Sequence, residues 1–284
     1  MLLWRANMKL SKKKIILGVV FLVLLWAGNI IYYEKHVLKE PLFINHYYNL
    51  KTGMNDFRLY YIQNINSQDR VISIVFPEIG QQFLNFSELD GNSDSNRRYY
   101  MLKTITVNLF NGGNEIPEEY KNKVITKAQI CFSSGKKVNT DLGKIYLDNN
   151  EIEKIDLKQS STSSSSDNTG SSTFIANKDI NVTGINSKFQ EELKDILQIN
   201  IDGIPLSKMA FPIKLKAGTD LNLSYSFIFN KNDIRKNNAY FFTLDLLTED
   251  FQGNKGTSSC FVNYCAQDPA EFDIDVIKNV RRDK

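Results

Sequence analysis

Nineteen consecutive residues, Ile15 to Tyr33, read IILGVVFLVLLWAGNIIYY, with no formal charge and Asn29 as the one strongly polar side chain. As a helix this stretch is about 28 Å long, close to the hydrocarbon thickness of a bilayer. Downstream the period changes from helical to alternating. Phe57, Leu59 and Tyr61 alternate with polar neighbours, and Val71 to Pro77 is a β-branched run ended by proline. Two strands are expected there, separated by turn-forming residues. Tyr99 to Phe110, Lys123 to Phe132 and Leu142 to Leu147 are further extended stretches, and this half reads as a β-meander.

Gln159 to Thr173 is low-complexity serine, QSSTSSSSDNTGSST, which offers little apolar area to bury. It predicts a flexible linker or a long mobile loop, with the extended flanks on either side able to pair as a hairpin. The amphipathic helix that follows is expected to start at Ser187, with Gln190 three positions on. Phe189, Leu193, Ile196 and Leu197 share its apolar face. Alternation then resumes: Phe211, Ile213 and Leu215, a turn over 217–220, and Leu221, Leu223, Tyr225, Phe227 and Phe229 predict the strongest hairpin in the chain, its apolar side chains in the core. Tyr240, Phe242, Leu244 and Leu246, then Cys260, Val262 and Tyr264, then Phe272, Ile274 and Val276 predict three more strands.

The fold class expected is therefore mainly β, an antiparallel β-sandwich with one amphipathic helix, preceded by a single N-terminal transmembrane helix. The expected divisions are a cytoplasmic tail 1–14, a transmembrane helix 15–33, a juxtamembrane stalk 34–56 and an exported β-unit 57–284. That last unit is either one sandwich, the favoured reading, or two halves, 57–158 and 174–284, joined by the serine-rich loop 159–173.

Charge sharpens the topology. Five of the 35 Lys and Arg residues, Arg5, Lys9, Lys12, Lys13 and Lys14, precede the apolar run; 30 remain against 32 Asp and Glu, a net of −2. The positive-inside rule then keeps the N-terminus in the cytoplasm and sends the rest out through the cell membrane. Cleavage as a signal peptide, giving a secreted protein, is the competing expectation, disfavoured because Leu25 and Trp26 occupy the third position before cuts after Ala27 and Gly28. A near-neutral exported unit lacks the basic face that nucleic-acid binding requires, and no nucleic-acid partner is expected. With a tail of some fourteen residues, no cytoplasmic signalling domain is expected.

Candidate chemistry is sparse. The two histidines, His36 and His46, both fall in the expected stalk and read as solvated, so a hydrolase triad or histidine-based zinc site in the β-unit is not expected. Cys260 and Cys265, five positions apart in an extended strand, lie about 16 Å apart on opposite faces. A disulfide would have to involve Cys131, and buried unpaired thiols are the favoured reading.

Asp90, Asn92, Asp94 and Asn96 place side-chain oxygens at alternate positions, a pattern that suits calcium, although Ser95 and Met101 replace the glycine and glutamate of an EF-hand loop. The ordinary reading is a solvated loop, with no other cofactor expected. Glu78 and Asp245 are the least ordinary acids, the first expected in a turn and the second facing solvent. The functional expectation is a membrane-anchored extracytoplasmic binding or structural protein of the cell envelope. Its membrane contact is Ile15 to Tyr33, and its partner is an envelope protein or glycan. The alternative is a carboxylate-dependent hydrolase acting on envelope glycans.

Overall fold

The chain is described from a computed structural model, which covers residues 12–51, 54, 56–80, 85–89, 99–109, 116–148, 156–165 and 167–265. It divides into two compact units, Met1–Lys39 and Glu40–Lys284. The first contains α1 (Lys12–His36), whose apolar side chains are exposed all round. A helix apolar on every side cannot be an ordinary surface helix in water. It is long and apolar enough to cross a membrane.

In the second unit, the first half of the chain forms β1 (Leu42–Phe43), β2 (His46–Leu50), β3 (Asp56–Asn64), β4 (Val71–Val75), β5 (Asn85–Leu89), β6 (Tyr100–Asn108), β7 (Val124–Phe132) and β8 (Lys137–Leu147). One antiparallel sheet has the order β1-β3-β6-β5, and β4, β7, β8 and β2 lie in order in another. The two face each other through Tyr61 against Phe132 and Phe57 against Phe76, with ring centroids 5.9 and 6.0 Å apart. This half is not a meander. β3 and β4 do not pair, because their inward residues fill one core from opposite sheets, whereas β7 and β8 form a true hairpin around Gly135, whose φ is +84°.

The second half forms β9 (Leu157–Ser164), β10 (Thr169–Ala176), β11 (Ile180–Asn186), α2 (Gln190–Leu193), β12 (Leu197–Ile201), β13 (Ile204–Pro205), β14 (Ile213–Leu215), β15 (Asp220–Phe227), β16 (Ala239–Asp250) and β17 (Lys255–Cys265). A five-stranded sheet, β13-β12-β15-β10-β9, packs against β14, β11, β16 and β17. Phe227 touches Tyr240 and Tyr264, centroids 5.3 and 5.1 Å away, across that core.

The expected hairpin over 211–229 is corrected here. β14 pairs with β11 and β15 with β10 and β12, so the turn between them crosses from one sheet to the other. Alternation had placed Leu221, Leu223, Tyr225 and Phe227 in the core, where they are; it carries no information about which strand pairs with which. The predicted helix shrinks to the single turn of α2, because Leu197 already belongs to β12, paired with β15. Its apolar face is nonetheless buried, Phe189, Leu193, Ile196 and Leu197 included.

Two further expectations are overturned. The serine tract is neither linker nor mobile loop: the expected pairing of its flanks holds, Leu157 with Ala176 and Lys158 with Ile175, and it continues into the tract itself as β9 and β10. Strand β10 alternates, with Gly170, Ser172, Phe174 and Ala176 inward, and a side chain at Gly170 would come within 2.5 Å of the Tyr225 ring. Serine hydroxyls bond across the arms, Ser163 to Ser171 at 2.8 Å and Ser172 to Thr162 at 3.2 Å. The tract is ordered by a neighbouring sheet, not by apolar area of its own.

The expected stalk is likewise a strand pair. Within 34–56, Phe43, Ile44, Tyr48 and Leu50 are fully or nearly fully buried. β2 pairs in parallel with β8 on one side and with Ala239–Phe241 of β16 on the other. Since β17 occupies the whole far edge of β16, β2 and β11 share the near edge at its two ends. β2 thus splices both halves into one sheet. Gly143 makes the splice fit: its φ is +89°, and a Cβ there would lie 2.5 Å from the His46 carbonyl oxygen. The closing strand expected at Phe272, Ile274 and Val276 lies outside the described residues, as does the loop of Asp90, Asn92, Asp94 and Asn96.

Candidate functional site

Alternation along β3 and β16 sends one set of side chains to the cores and the other outward. At the splice the outward sets meet. A cleft of about 370 Å³ opens between them. Asp56, Arg58 and Tyr60 of β3, with Thr106 of β6, make one wall; Phe241 of β16 and Asn263 of β17 make the other; Tyr48 and Phe57 lie at its floor. Phe261, 39% exposed, is not among the lining residues but lies beside Phe241, its ring parallel to that of Phe241 at a centroid distance of 6.1 Å.

The walls are fixed by hydrogen bonds from the splice. Tyr48 donates its hydroxyl to the Arg58 carbonyl oxygen at 2.7 Å, and the Tyr60 amide donates to His46 Nε2 at 2.9 Å. The His46 ring stacks on Tyr60, and Tyr48 meets Phe241 edge-on. Arg58 and Asp56 give the rim one charge of each sign, and Asn108 donates to the Asp56 carboxylate. Burial, with the neighbouring Cys265 next in effect, pushes the Tyr60 phenol up to about 12; burial likewise pushes the Cys265 thiol up to about 12. Both groups are protonated at neutral pH. Cys265 is therefore no activated nucleophile.

The sequence-predicted site residues do not converge here. His46 is fully buried in β2, a correction forced by the strand that surrounds it, while His36 ends α1 with Nδ1 2.7 Å from the Tyr32 carbonyl oxygen. Glu78 does sit in the turn after β4, but its Oε1 accepts from Thr126 N and Oγ1 at 2.9 and 2.7 Å, tying that turn to β7. Asp245 does not face solvent. Alternation correctly puts it on the outer face of β16, but Lys51, just after β2, covers that face, with Nζ 2.7 Å from Asp245 Oδ1. Ser259 donates to the same carboxylate oxygen at 2.6 Å. None of Cys131, Cys260 and Cys265 is in a disulfide. The calcium ligands expected at Asp90, Asn92, Asp94 and Asn96 are outside the described residues, among which no group of three His, Cys, Asp or Glu side chains could hold a metal ion.

A second depression, about 340 Å³, is lined by hydroxyls such as those of Ser163, Ser171, Ser224 and Ser226, and none of its lining residues is charged. The cleft alone combines flat rings, ions of both signs and rigid walls. Sequence reasoning missed Arg58, Tyr60, Phe241 and Phe261. The available signal was three aromatic residues in the outward register of strands whose other register is core.

No family model and no curated protein sequence matches the chain. Among solved structures, a protein of unknown function from Porphyromonas gingivalis W83 is similar at 9% identity over 79% of this chain and 96% of that one, with a TM-score of 0.22. The fibronectin(III)-like modules of Clostridium thermocellum CbhA follow at 10% identity, 80% and 94% coverage and a TM-score of 0.20. The E. coli chaperone DraB gives 9%, 78%, 95% and 0.23. Likeness at that level carries no argument about function.

Proposed function

We propose that this chain is a membrane-anchored extracytoplasmic binding protein that holds an envelope glycan in the cleft between β3 and β16. The cleft carries the reading. Parallel rings at Phe241 and Phe261, with Tyr60 opposite, suit the apolar C–H faces of sugar rings. Arg58, Asp56, Asn263 and Thr106 ring them with donors and acceptors for hydroxyls, and their charges sum to zero, as a neutral ligand requires. Lys12, Lys13 and Lys14 at the start of α1 support retention of that end in the cytoplasm and display of the β-unit outside. Binding is favoured over hydrolysis because Asp56 is the single carboxylate among the cleft's lining residues, whereas paired-acid hydrolysis needs two.

The test is calorimetric titration of the full-length chain in nanodiscs with uncharged N-acetylhexosamine oligomers. Saturable binding is expected. Phe241→Ala and Tyr60→Ala should each weaken it roughly two- to tenfold, the range for one lost aromatic contact, and Arg58→Ala by at least as much. Unchanged affinity in all three variants, or no binding by the unsubstituted chain, refutes the reading.

A further inference from the structure

We propose that two copies of this chain pair edge to edge through β9, extending their five-stranded sheets into one. β9 ends its sheet, and among the described residues only Leu157 has backbone groups engaged on the far side, its N–H and C=O both bonded to Ser258 Oγ at 3.3 and 3.1 Å. From Lys158 to Ser164 every side chain is exposed, so the strand projects beyond the core with both faces in solvent. The opposite edge is blunted. β13 is two residues long, and one of them is Pro205, which has no N–H.

Natural edges are protected by charge, proline or bulges. β9 has one charge, Lys158, and a bulge opposite Thr173/Phe174 near the same end. Ser161 to Ser164 have neither. The register identifies which groups point outward. Ser165 N–H donates to the Thr169 carbonyl at 2.9 Å, so hydrogen-bonded pairs alternate back through Ser163 with Ser171 and Ser161 with Thr173. Thr162 and Ser164 then turn their N–H and C=O to the open edge.

The occupant that fits is the same strand. A two-fold axis at Ser163 sets Thr162 opposite Ser164 of the second copy and the reverse, giving four backbone hydrogen bonds across the junction. It keeps the two Lys158 ammonium groups about ten strand residues apart, on the order of 33 Å, so no like charges meet. The facing side chains are small hydroxyls, the pairing that β9 already makes with β10.

At that axis the two Ser163 residues form a non-hydrogen-bonded pair with Cα atoms about 4.5 Å apart, inside the range of roughly 4.4–6.8 Å for a disulfide. The two Ser161 residues would be about four positions out of register, some 13 Å. Full-length Ser163→Cys and Ser161→Cys chains, both substituted at exposed sites, are therefore oxidised in membrane vesicles and run on non-reducing gels. A covalent dimer is expected for Ser163→Cys at five or more times the yield of Ser161→Cys or the unsubstituted chain. Adding Thr162→Pro, which removes an outward N–H, should abolish it. Equal yields from the two cysteines, no dimer from either, or a cross-link only to a protein of different mass each overturn the proposal. None of these outcomes bears on glycan binding in the cleft.

Discussion

The junction of β2 with β16 can be broken at one ion pair. Lys51 and Asp245 are 2.7 Å apart with side chains 11% and 13% exposed, and Ser259 lies 3.1 Å from the ammonium and 2.6 Å from the carboxylate. Removing one partner of a fully buried pair costs about 3–5 kcal/mol, and the slight exposure here lowers that to about 2–4 kcal/mol. The two single variants are not equivalent. In Lys51→Met the carboxylate stays trapped in mid-strand with one hydroxyl donor, whereas in Asp245→Ala the long lysine side chain can extend toward water. Lys51→Met is therefore the more destabilising. In the double variant Lys51→Met/Asp245→Leu no charge is stranded, and stability returns to within about 1 kcal/mol of the starting chain.

For a folded unit of this size each kcal/mol moves the midpoint by roughly 2–4 °C, so Lys51→Met should melt some 5–15 °C lower by circular dichroism of the full chain in detergent. Added salt should not reproduce the loss, since a pair this buried is weakly screened. Hydrogen exchange supplies the local readout: amides of Tyr47 to Leu50 should exchange faster while those of β7 are unchanged. If both single variants melt within about 1 °C of the parent, or if the double variant loses as much as the two singles together, the pair does not clamp β2 and the reasoning fails.

Two further outcomes are expected from the same geometry. Gly143→Ala and Gly135→Ala both force a side chain into positive φ, about 1–2 kcal/mol, but only the former meets backbone, at His46, so it should cost about 1–3 kcal/mol more in urea melts; equal costs would show the splice to be loose. The Asp250 carboxyl is held below its ordinary range first by Lys178, 2.7 Å away, and then by Asn254. Its contribution to stability is thus complete above the unfolded carboxylate value of about 3.9 and is lost as pH falls through the lower folded one. Urea midpoints should hold from pH 7 to about 5 and drop below about 4, and Asp250→Asn should be less stable at pH 7 with a shallower acid decline; a decline of the same steepness would refute the assignment.

Much of the β-architecture was legible because period-two alternation is a local property. Leu221 to Phe227 and Tyr240 to Leu246 declare their buried faces in any window of seven residues, and their burial follows. Pairing is not local. The turn at 217–220 looks like a hairpin from either side, yet Gly218 donates to the Ala176 carbonyl at 2.8 Å and leads β15 into the sheet of β10. The serine tract misled for the opposite reason: composition reports the apolar area a segment can bury, and β10 is held by a register in which Gly170 admits the Tyr225 ring and Phe174 fills the core.

The cleft was hidden for a related reason, and β2 shows why. A five-residue strand that follows a long apolar helix in the sequence, with His46 and Asn49 among its residues, has the composition of a stalk. Its burial depends on partners about 97 and 193 positions away, Gly143 and Ala239, opposite His46. Once it is in place its side chains act on both sides: His46 and Tyr48 fix β3, and Lys51 covers Asp245. The outward rings of Tyr60 and Phe241 become two walls of one cleft only because β2 holds β3 and β16 together. Loss of the clamp should therefore weaken the glycan binding proposed for the cleft as well as stability, with no substitution in the cleft itself. A Lys51→Met chain kept below its melting point that binds glycan as tightly as the parent would separate the splice from the site and leave each half of the unit to carry its own function.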